Sequence, residues 1–168
     1  VQPGDVVFAD TTGATTDGPN GPSSLCAVDI GLDIWYVIKA PSNGELSVDG
    51  CNLDFDSVIA VYDIGTDLGA FDPSLLGTYP SACADDTCGQ VAGPSRITIV
   101  NANANHYYLV RIGSWFNAQF PPETGSGNVA FDFDGVIFNT GSQRAIRNQD
   151  TGALTNLGLS SGNLGGAN

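Results

Sequence analysis

Two pairs of aspartates are the residues of this 168-residue chain whose types and spacing are best suited to chemistry. Asp54 and Asp56 precede an apolar run, and Asp85 and Asp86 lie between two cysteines. Carboxylate oxygens are ligands that Ca²⁺ prefers, and roughly six to eight oxygens complete its shell. The sequence therefore predicts a calcium ion between the two pairs if both loops lie at one end of the fold. The alternative is that Asp56 and Asp86 accept hydrogen bonds from loop amides, as aspartates commonly do in turns.

Catalysis has little support in the sequence. A Ser–His–Asp triad needs a base that is held against a nucleophile and oriented by a carboxylate. His106 is the only histidine, and it follows an Asn-Ala-Asn-Ala-Asn turn, which favours a surface position. The paired aspartates would suit glycoside hydrolysis only across a cleft of roughly 5–9 Å, and short loops do not predict one. We therefore expect a protein that is not an enzyme.

The four cysteines are Cys26, Cys51, Cys83 and Cys88. Zinc sites usually contain two close cysteine pairs or a Cys/His cluster, whereas here only Cys83 and Cys88 are close in sequence. Two disulfides are the better interpretation, and they indicate an oxidising compartment. Of the three possible pairings we expect Cys26–Cys51, which would join the entry of one hairpin to its exit. The second pair, Cys83–Cys88, would then close a short loop around the second aspartate pair.

Charge and composition exclude several classes of protein. The chain has 18 acidic residues against five Lys and Arg, a formal net charge of −13, which repels phosphate backbones and disfavours nucleic acid or anionic membranes as partners. No apolar run approaches the roughly 20 residues of a membrane span. The chain opens at Val1 and contains no Met. We therefore expect the mature form of a secreted protein, located outside the cell or on its surface.

Short β-branched and aromatic runs alternate with Gly, Pro, Asn and Asp at intervals of roughly 8–12 residues, which is typical of a sandwich or barrel. We predict an all-β fold, a jelly-roll-like antiparallel β-sandwich of about eight strands within residues 1–133. The predicted strands are Asp5–Ala9, Asp33–Lys39, Glu45–Asp49, Ser57–Asp63, Leu75–Tyr79, Arg96–Asn101, Tyr107–Gly113 and Asn128–Phe133.

Residues 134–168 have a different composition and are predicted to form an extended C-terminal tail. They are rich in Gly, Asn, Ser and Thr, and their charges cancel. Apart from Val136, Ile137 and Phe138 they contain little apolar surface. Such a segment is ordered only if its own domain or a neighbouring molecule holds it in place. The three apolar residues are therefore a candidate strand for contact between subunits.

Trp115, Phe116 and Phe120 are predicted to lie in a loop that ends in Pro121-Pro122. Exposed aromatic side chains in a loop commonly mark a contact surface, either for stacking on a sugar or for anchoring a protein partner. The alternative is that they fold back into a small core of their own.

Several segments of residues 11–133 resemble the bacterial pre-peptidase C-terminal domain family, especially its cysteine-containing variety in secreted planctomycete proteins. The resemblance implies a jelly-roll β-sandwich without catalytic activity that accompanies secreted hydrolases or surface proteins. Two departures are the long aromatic connection 114–127 and the tail, which lies outside the resemblance. The segments that carry it are Gly13-Ala-Thr-Thr-Asp-Gly-Pro19, Asp33-Ile-Trp-Tyr36, Gly44-Glu-Leu-Ser-Val48 with Cys51, Phe55-Asp-Ser-Val-Ile-Ala-Val-Tyr-Asp63, Cys83-Ala-Asp-Asp-Thr-Cys-Gly89 and Tyr108-Leu-Val-Arg-Ile-Gly113.

Two functions of different classes follow from these observations. The first is an extracellular structural protein whose copies assemble into a filament or surface layer through the tail or the N-terminal strand Asp5–Ala9. The second is a secreted module that binds carbohydrate or protein and is accessory to a hydrolase. The sequence favours assembly, because only assembly gives an ordered tail a partner.

Overall fold

The computed structural model describes residues 1–19, 26, 29–70, 76, 80–135, 145–147 and 154–156. These residues form one 3-10 turn, Leu68–Ala70, and ten strands. No helix among them is long and apolar enough to cross a membrane. The strands are β1 Val6–Asp10, β2 Asp29–Lys39, β3 Gly44–Leu53, β4 Ser57–Asp63, β5 Ala82–Asp85, β6 Arg96–Ala102, β7 Tyr107–Phe116, β8 Ser126–Gly135, β9 Ala145–Arg147 and β10 Leu154–Asn156.

Eight of the strands form two antiparallel four-stranded sheets, which confirms the predicted all-β sandwich. The first sheet has the order β1-β8-β3-β6, and the second has the order β2-β7-β4-β5. The strands β9 and β10 pair with each other in a separate two-stranded sheet. Strands β1 and β6 are therefore the edges of the first sheet.

The core lies between the two sheets and is built by alternation of side chains along the strands. In β3 Leu46 and Val48 point inwards and are fully buried, as the period of two predicts. Tyr36 of β2 packs against Phe131 of β8 with ring centroids 5.2 Å apart, which joins the two sheets. Strand β4 is buried on both faces because loop segments also cover the outer side of the second sheet.

A buried ion pair lies under one of these covering segments. The side chain of Arg111 in β7 is only 2% exposed, and its Nε donates to Asp33 Oδ2 at 2.7 Å. Its Nη2 donates to the carbonyl oxygen of Ile30 at 2.8 Å. Trp35 places its ring 5.5 Å from the guanidinium carbon and donates from Nε1 to Asp33 Oδ1 at 3.0 Å. Every charged group in this network therefore has partners, as burial of charge requires.

Gly18 lies directly against the guanidinium group of Arg111. A Cβ at this position would lie 2.2 Å from Cζ of Arg111, so only glycine allows the chain to come this close. The Pro19 carbonyl oxygen accepts from Arg111 Nη1 at 3.0 Å, and the Asp33 amide donates to the Thr15 carbonyl at 3.0 Å. Three of the segments quoted for the family resemblance thus meet in one structural network.

The predicted strand Leu75–Tyr79 is the one that does not appear among the described residues. Leu76 belongs to no strand, and the other four positions lie outside the described part of the chain. The structure also has a strand that was not predicted, β5 at Ala82–Asp85, which pairs with β4. Its sequence Ala-Cys-Ala-Asp has little intrinsic preference for a strand, so pairing with β4 determines its conformation.

The predicted disulfide pairing is wrong, although both disulfides exist. Cys26 pairs with Cys83, and Cys51 pairs with Cys88, with Cα atoms 5.7 Å and 5.5 Å apart. Cys83 lies in β5 and faces the cluster on the outer side of the second sheet, where Cys26 also packs. Between Cys83 and Cys88 the chain leaves this sheet for β6, which pairs with the strand that contains Cys51. Closeness in sequence therefore did not mean closeness in space.

Candidate functional site

A cavity of about 590 Å³ opens at the end of the sandwich where β3 and β7 end and where β4 and β8 begin. The connections that follow β3, β5 and β7 contribute its walls. Among the lining residues are three acidic side chains, three aromatic rings and an amide: Asp54, Asp56, Glu123, Phe55, Trp115, Phe120 and Gln90.

One wall of the cavity is aromatic. The rings of Trp115 and Phe120 lie 6.1 Å apart in a tilted arrangement, and Phe120 is 60% exposed. Asn117 Oδ1 accepts from the amides of Gln119 and Phe120 at 2.8 and 2.9 Å, and the Asn117 amide donates to the Phe120 carbonyl at 3.0 Å. The turn that carries Phe120 is thus held in place by its own hydrogen bonds.

The prediction of one continuous aromatic loop is wrong for two of its three residues. Trp115 and Phe116 are the last residues of β7 and pair with Ile30 and Asp29 of β2. Phe116 also packs beside Gly31, where a Cβ would lie 3.0 Å from the ring. Pairing with β2 extends β7 beyond the predicted end at Gly113, so only Phe120 lies in the connection to β8.

The structure brings together three of the four aspartates predicted to bind calcium. One carboxylate oxygen each from Asp56, Asp85 and Asp86 lies within 4.8 Å of the others. Asp54 is not part of this cluster, because its Oδ1 accepts from the Ser126 amide at 2.6 Å. The predicted approach of the two loops is therefore observed, with one member directed elsewhere.

The three carboxylates are crowded and incompletely satisfied. Asp56 Oδ1 and Asp85 Oδ1 are buried without a hydrogen-bond partner among the described residues. Burial, with the nearby charges of Asp86, Asp85 and Glu123, raises the pKa of Asp56 from 3.8 to about 6. Burial and the charge of Asp86 also raise the pKa of Asp85. A proton or a cation would therefore stabilise this cluster.

The calcium prediction and its alternative each account for part of the geometry. Asp86 Oδ1 accepts from the Gly93 amide at 2.8 Å, as the alternative expected. Asp54 also accepts from an amide, which the alternative did not include. Asp56 and Asp85 keep buried oxygens without such a donor. Three carboxylates supply only part of the roughly six to eight oxygens that Ca²⁺ takes. Calcium binding stays a prediction, with Asp54 outside the ligand set.

His106 lies far from the cavity, at the opposite end of β7. Its Nδ1 is 2.8 Å from Asp63 Oδ1, a hydrogen bond that orients the ring at the surface. The nearby Ser81 Oγ accepts from the Asp63 amide at 2.9 Å. Residues 158–162 match the spacing Gly-x-Ser-x-Gly, but they lie outside the described residues. The absence of catalysis stays a prediction.

The outer edge of β1 is a second candidate site. The Asp5 carbonyl accepts from the Phe131 amide at 2.8 Å, and the Thr11 amide donates to the Gly125 carbonyl at 3.0 Å. Because antiparallel bonding alternates, the odd-numbered residues of β1 bond to β8, and the N–H and C=O groups of Val6 and Phe8 point outwards. The side chains of these two residues are 65% and 68% exposed. β1 thus presents an apolar edge without a partner strand among the described residues.

Other sheet edges are partly covered by the chain itself. Thr87 Oγ1 accepts from the Arg96 amide at 2.8 Å and donates to the Arg96 carbonyl at 2.6 Å, which covers the start of β6. The Leu32 amide donates to Thr16 Oγ1 at 3.0 Å on the edge strand β2. The predicted interface residues Val136, Ile137 and Phe138 lie outside the described residues.

Comparison with known proteins gives no relative: neither family models, curated proteins nor solved structures match this chain. The resemblance to the pre-peptidase C-terminal domain family therefore stays a prediction.

The positions of three residues in these sites were not predicted from the sequence. Glu123 and Gln90 line the cavity, and nothing in their sequence context distinguishes them from other exposed polar residues. Phe8 was placed in a strand, but not at an edge, because edge position depends on pairing along the whole chain.

Proposed function

We propose that the protein is a non-catalytic, secreted structural subunit whose copies assemble into an extracellular filament or surface layer by adding a strand at β1. The observation that carries this proposal is the apolar edge at Val6 and Phe8, which has no partner strand in the part of the chain that the structure describes. Natural proteins usually protect such edges with charge, proline or a covering loop, because an open edge pairs with other chains.

Strand addition at β1 has two sources of stabilisation. The outward backbone groups of Val6 and Phe8 would gain partners, as in other cases where an extended segment joins a sheet edge. Full burial of an exposed Phe or Val side chain contributes roughly 1.5–3 kcal/mol. Asp5 and Asp10 carry the charges nearest to the apolar pair; Asp5 directly precedes β1, and Asp10 is its last residue. A neighbouring strand can therefore cover the centre of β1 without meeting a carboxylate.

The partner in this proposal is the tail of a second copy. In the described part of the tail, β9 and β10 pair only with each other, and a two-stranded sheet alone is marginally stable in water. Residues 134–168 have no net charge, so the whole −13 belongs to residues 1–133. A neutral segment approaches an acidic sandwich without the repulsion that two sandwiches would experience.

The geometry of such a contact favours polymers over closed dimers. The tail of one copy and β1 of the next are different surfaces, so the contact is heterologous and repeats from copy to copy unless a rotation closes it. The two disulfides support an oxidising, extracellular location for the assembly.

The test compares two lysine substitutions by sedimentation velocity and negative-stain electron microscopy across a range of concentrations. Phe8→Lys places a charge at the centre of the β1 edge and should raise the concentration needed for assembly at least about tenfold, which corresponds to roughly 1.4 kcal/mol. Val91→Lys is the matched control, because Val91 is 93% exposed in the connection from β5 to β6. A wild-type chain that stays monomeric at high concentration, or equal assembly of both variants, contradicts the proposal.

A further inference from the structure

The cavity at the end of the sandwich has a strongly one-sided charge. Asp54, Asp56 and Glu123 line it, whereas its described lining residues include neither Lys nor Arg. One carboxylate oxygen each of Asp85 and Asp86 lies within 4.8 Å of one of Asp56, so their charges add to the negative potential. A concave site with one sign of charge attracts ligands of the opposite sign and excludes those of the same sign.

The aromatic wall adds a second preference to this charge. Trp115 and Phe120 present tilted rings to the cavity beside the carboxylates. A cation over such a ring gains roughly 0.5–1 kcal/mol at an exposed site and more when water is excluded. An alkyl stem gains from burial against the same rings. Because the Asn117 turn already holds Phe120 in place, binding need not order this wall.

We propose that this cavity binds an alkylguanidinium or alkylammonium group, with its apolar stem against Trp115 and Phe120 and its N–H groups donating to the carboxylates of Asp56 and Glu123. A planar guanidinium matches both features, since it stacks on aromatic faces and donates to carboxylates. Phosphate and carboxylate ligands are excluded by charge. The site is independent of the β1 edge, so it stands whether or not the protein assembles.

The test measures binding of N-acetyl-arginine N-methylamide to the full chain by isothermal titration calorimetry at low salt. The matched probe is the citrulline analogue, which has nearly the same shape and no charge. The arginine compound should bind at least about tenfold more tightly than the citrulline compound, and its affinity should fall as salt is added. Repeating the titration with EDTA excludes an effect of bound metal.

Two substitutions and one control locate the binding site. Phe120→Ala removes an exposed ring and should weaken binding about two- to fivefold, as loss of a cation–π contact predicts. Glu123→Gln removes a charge from an exposed side chain and should weaken binding by a similar factor. Glu45→Gln is the control, because Glu45 lies at the start of β3, the opposite end from the cavity, and should leave the affinity unchanged.

A second arm distinguishes the source of the cation. Two of the five basic residues of the chain are Arg144 and Arg147, so a neighbouring copy is one source and a free amine or another protein is another. The arm uses a synthetic peptide of residues 141–150. If this peptide binds more tightly than the single-residue probe, and replacing both arginines with citrulline removes that advantage, the source of the cation is a neighbouring copy. Equal or weaker binding of that peptide identifies an external source. Equal affinities for arginine and citrulline probes, or affinities that Glu123→Gln leaves unchanged, overturn the proposal.

Discussion

Asp56 is the residue whose environment departs most from that of an ordinary surface carboxylate. Its pKa in the folded protein is about 6 instead of 3.8, first because of burial and then because of the charges of Asp86, Asp85 and Glu123. The folded state therefore holds a proton more tightly than the unfolded state between these pH values. It follows that the free energy of unfolding decreases as the pH rises from about 4 to 6.

Asp56→Asn should remove this penalty. We expect the variant to have a higher Tm than the wild type at pH 7, by about 2–4 °C if solvent screening leaves roughly 1 kcal/mol of repulsion. Its stability should also change less between pH 4 and 6 in thermal unfolding followed by circular dichroism. Asp54→Asn is the control, since its amide oxygen can still accept from Ser126. A lower Tm for Asp56→Asn at pH 7 would contradict the account.

Calcium offers another way to relieve the same repulsion. If Asp56, Asp85 and Asp86 hold Ca²⁺, the Tm should rise with free Ca²⁺ by mass action, by an increment that corresponds to about 2.7 kcal/mol at a hundred times the Kd. The double variant Asp56→Asn/Asp85→Asn should lose this dependence. The measurement is thermal unfolding with added CaCl₂ or with EDTA. Identical wild-type curves in the two conditions would refute calcium binding.

At the scale of elements, the ion pair of Asp33 and Arg111 connects β2 and β7 to the segment that covers them. Asp33→Asn would leave the Arg111 charge buried without its counterion, and removal of one partner of such a pair costs about 3–5 kcal/mol. Urea unfolding of the variant should show this loss. The double variant Asp33→Leu/Arg111→Met should be less destabilised than Asp33→Asn, because no unpaired charge remains. A loss below about 1 kcal/mol for Asp33→Asn would mean that the network is not structurally important.

The disulfides make a second prediction at this scale. They join residues 57 and 37 positions apart, and loops of these lengths correspond to about 4 kcal/mol each in the chain-entropy account. Peptide mapping without reduction should recover Cys26 linked to Cys83 and Cys51 linked to Cys88. Replacing either pair with serine should lower the Tm, whereas recovery of a Cys83–Cys88 peptide would contradict the fold around β5.

The sequence predicted the elements that are determined locally. The alternation of Val129, Phe131 and Phe133 and the apolar run Ser57–Asp63 identify β8 and β4, because burial fixes the period of a strand. The strand β5 and the pairing of Cys83 were not predictable in this way. Both depend on which segment lies beside β4 and on the point where the chain crosses between sheets, and these are long-range contacts.

The candidate site likewise contains features that the sequence predicted and features that depend on long-range contacts. The approach of Asp56 to Asp85 and Asp86 was predicted on the condition that both loops lie at one end of the fold, and the structure meets this condition. Glu123, Gln90 and the rotation of Asp54 towards Ser126 were not predicted, because they depend on the path of connections between strands. Trp115 joined β7 instead of a loop for the same reason, since the bulged strand β2 extends far enough to pair with it.

At the scale of the whole molecule, an acidic sandwich whose β1 edge is apolar and unpaired among the described residues combines repulsion with a site for association. Like charges on neighbouring copies are screened over a Debye length of about 10 Å at 0.1 M salt. Assembly through β1 should therefore strengthen with ionic strength, whereas binding of a cation in the cavity should weaken. These opposite dependences separate the two proposals without any substitution.

Amide hydrogen exchange in β1 tests the central claim most directly. In the unassembled protein the amides of Val7 and Ala9 bond to β8 and should exchange slowly, whereas those of Val6 and Phe8 face outwards and should exchange fast. If a strand of a second copy joins this edge, assembly should slow exchange at Val6 and Phe8 by at least about tenfold and leave distant exposed amides unchanged. If exchange at Val6 and Phe8 stays as fast in the assembled protein as in the monomer, strand addition at β1 is contradicted.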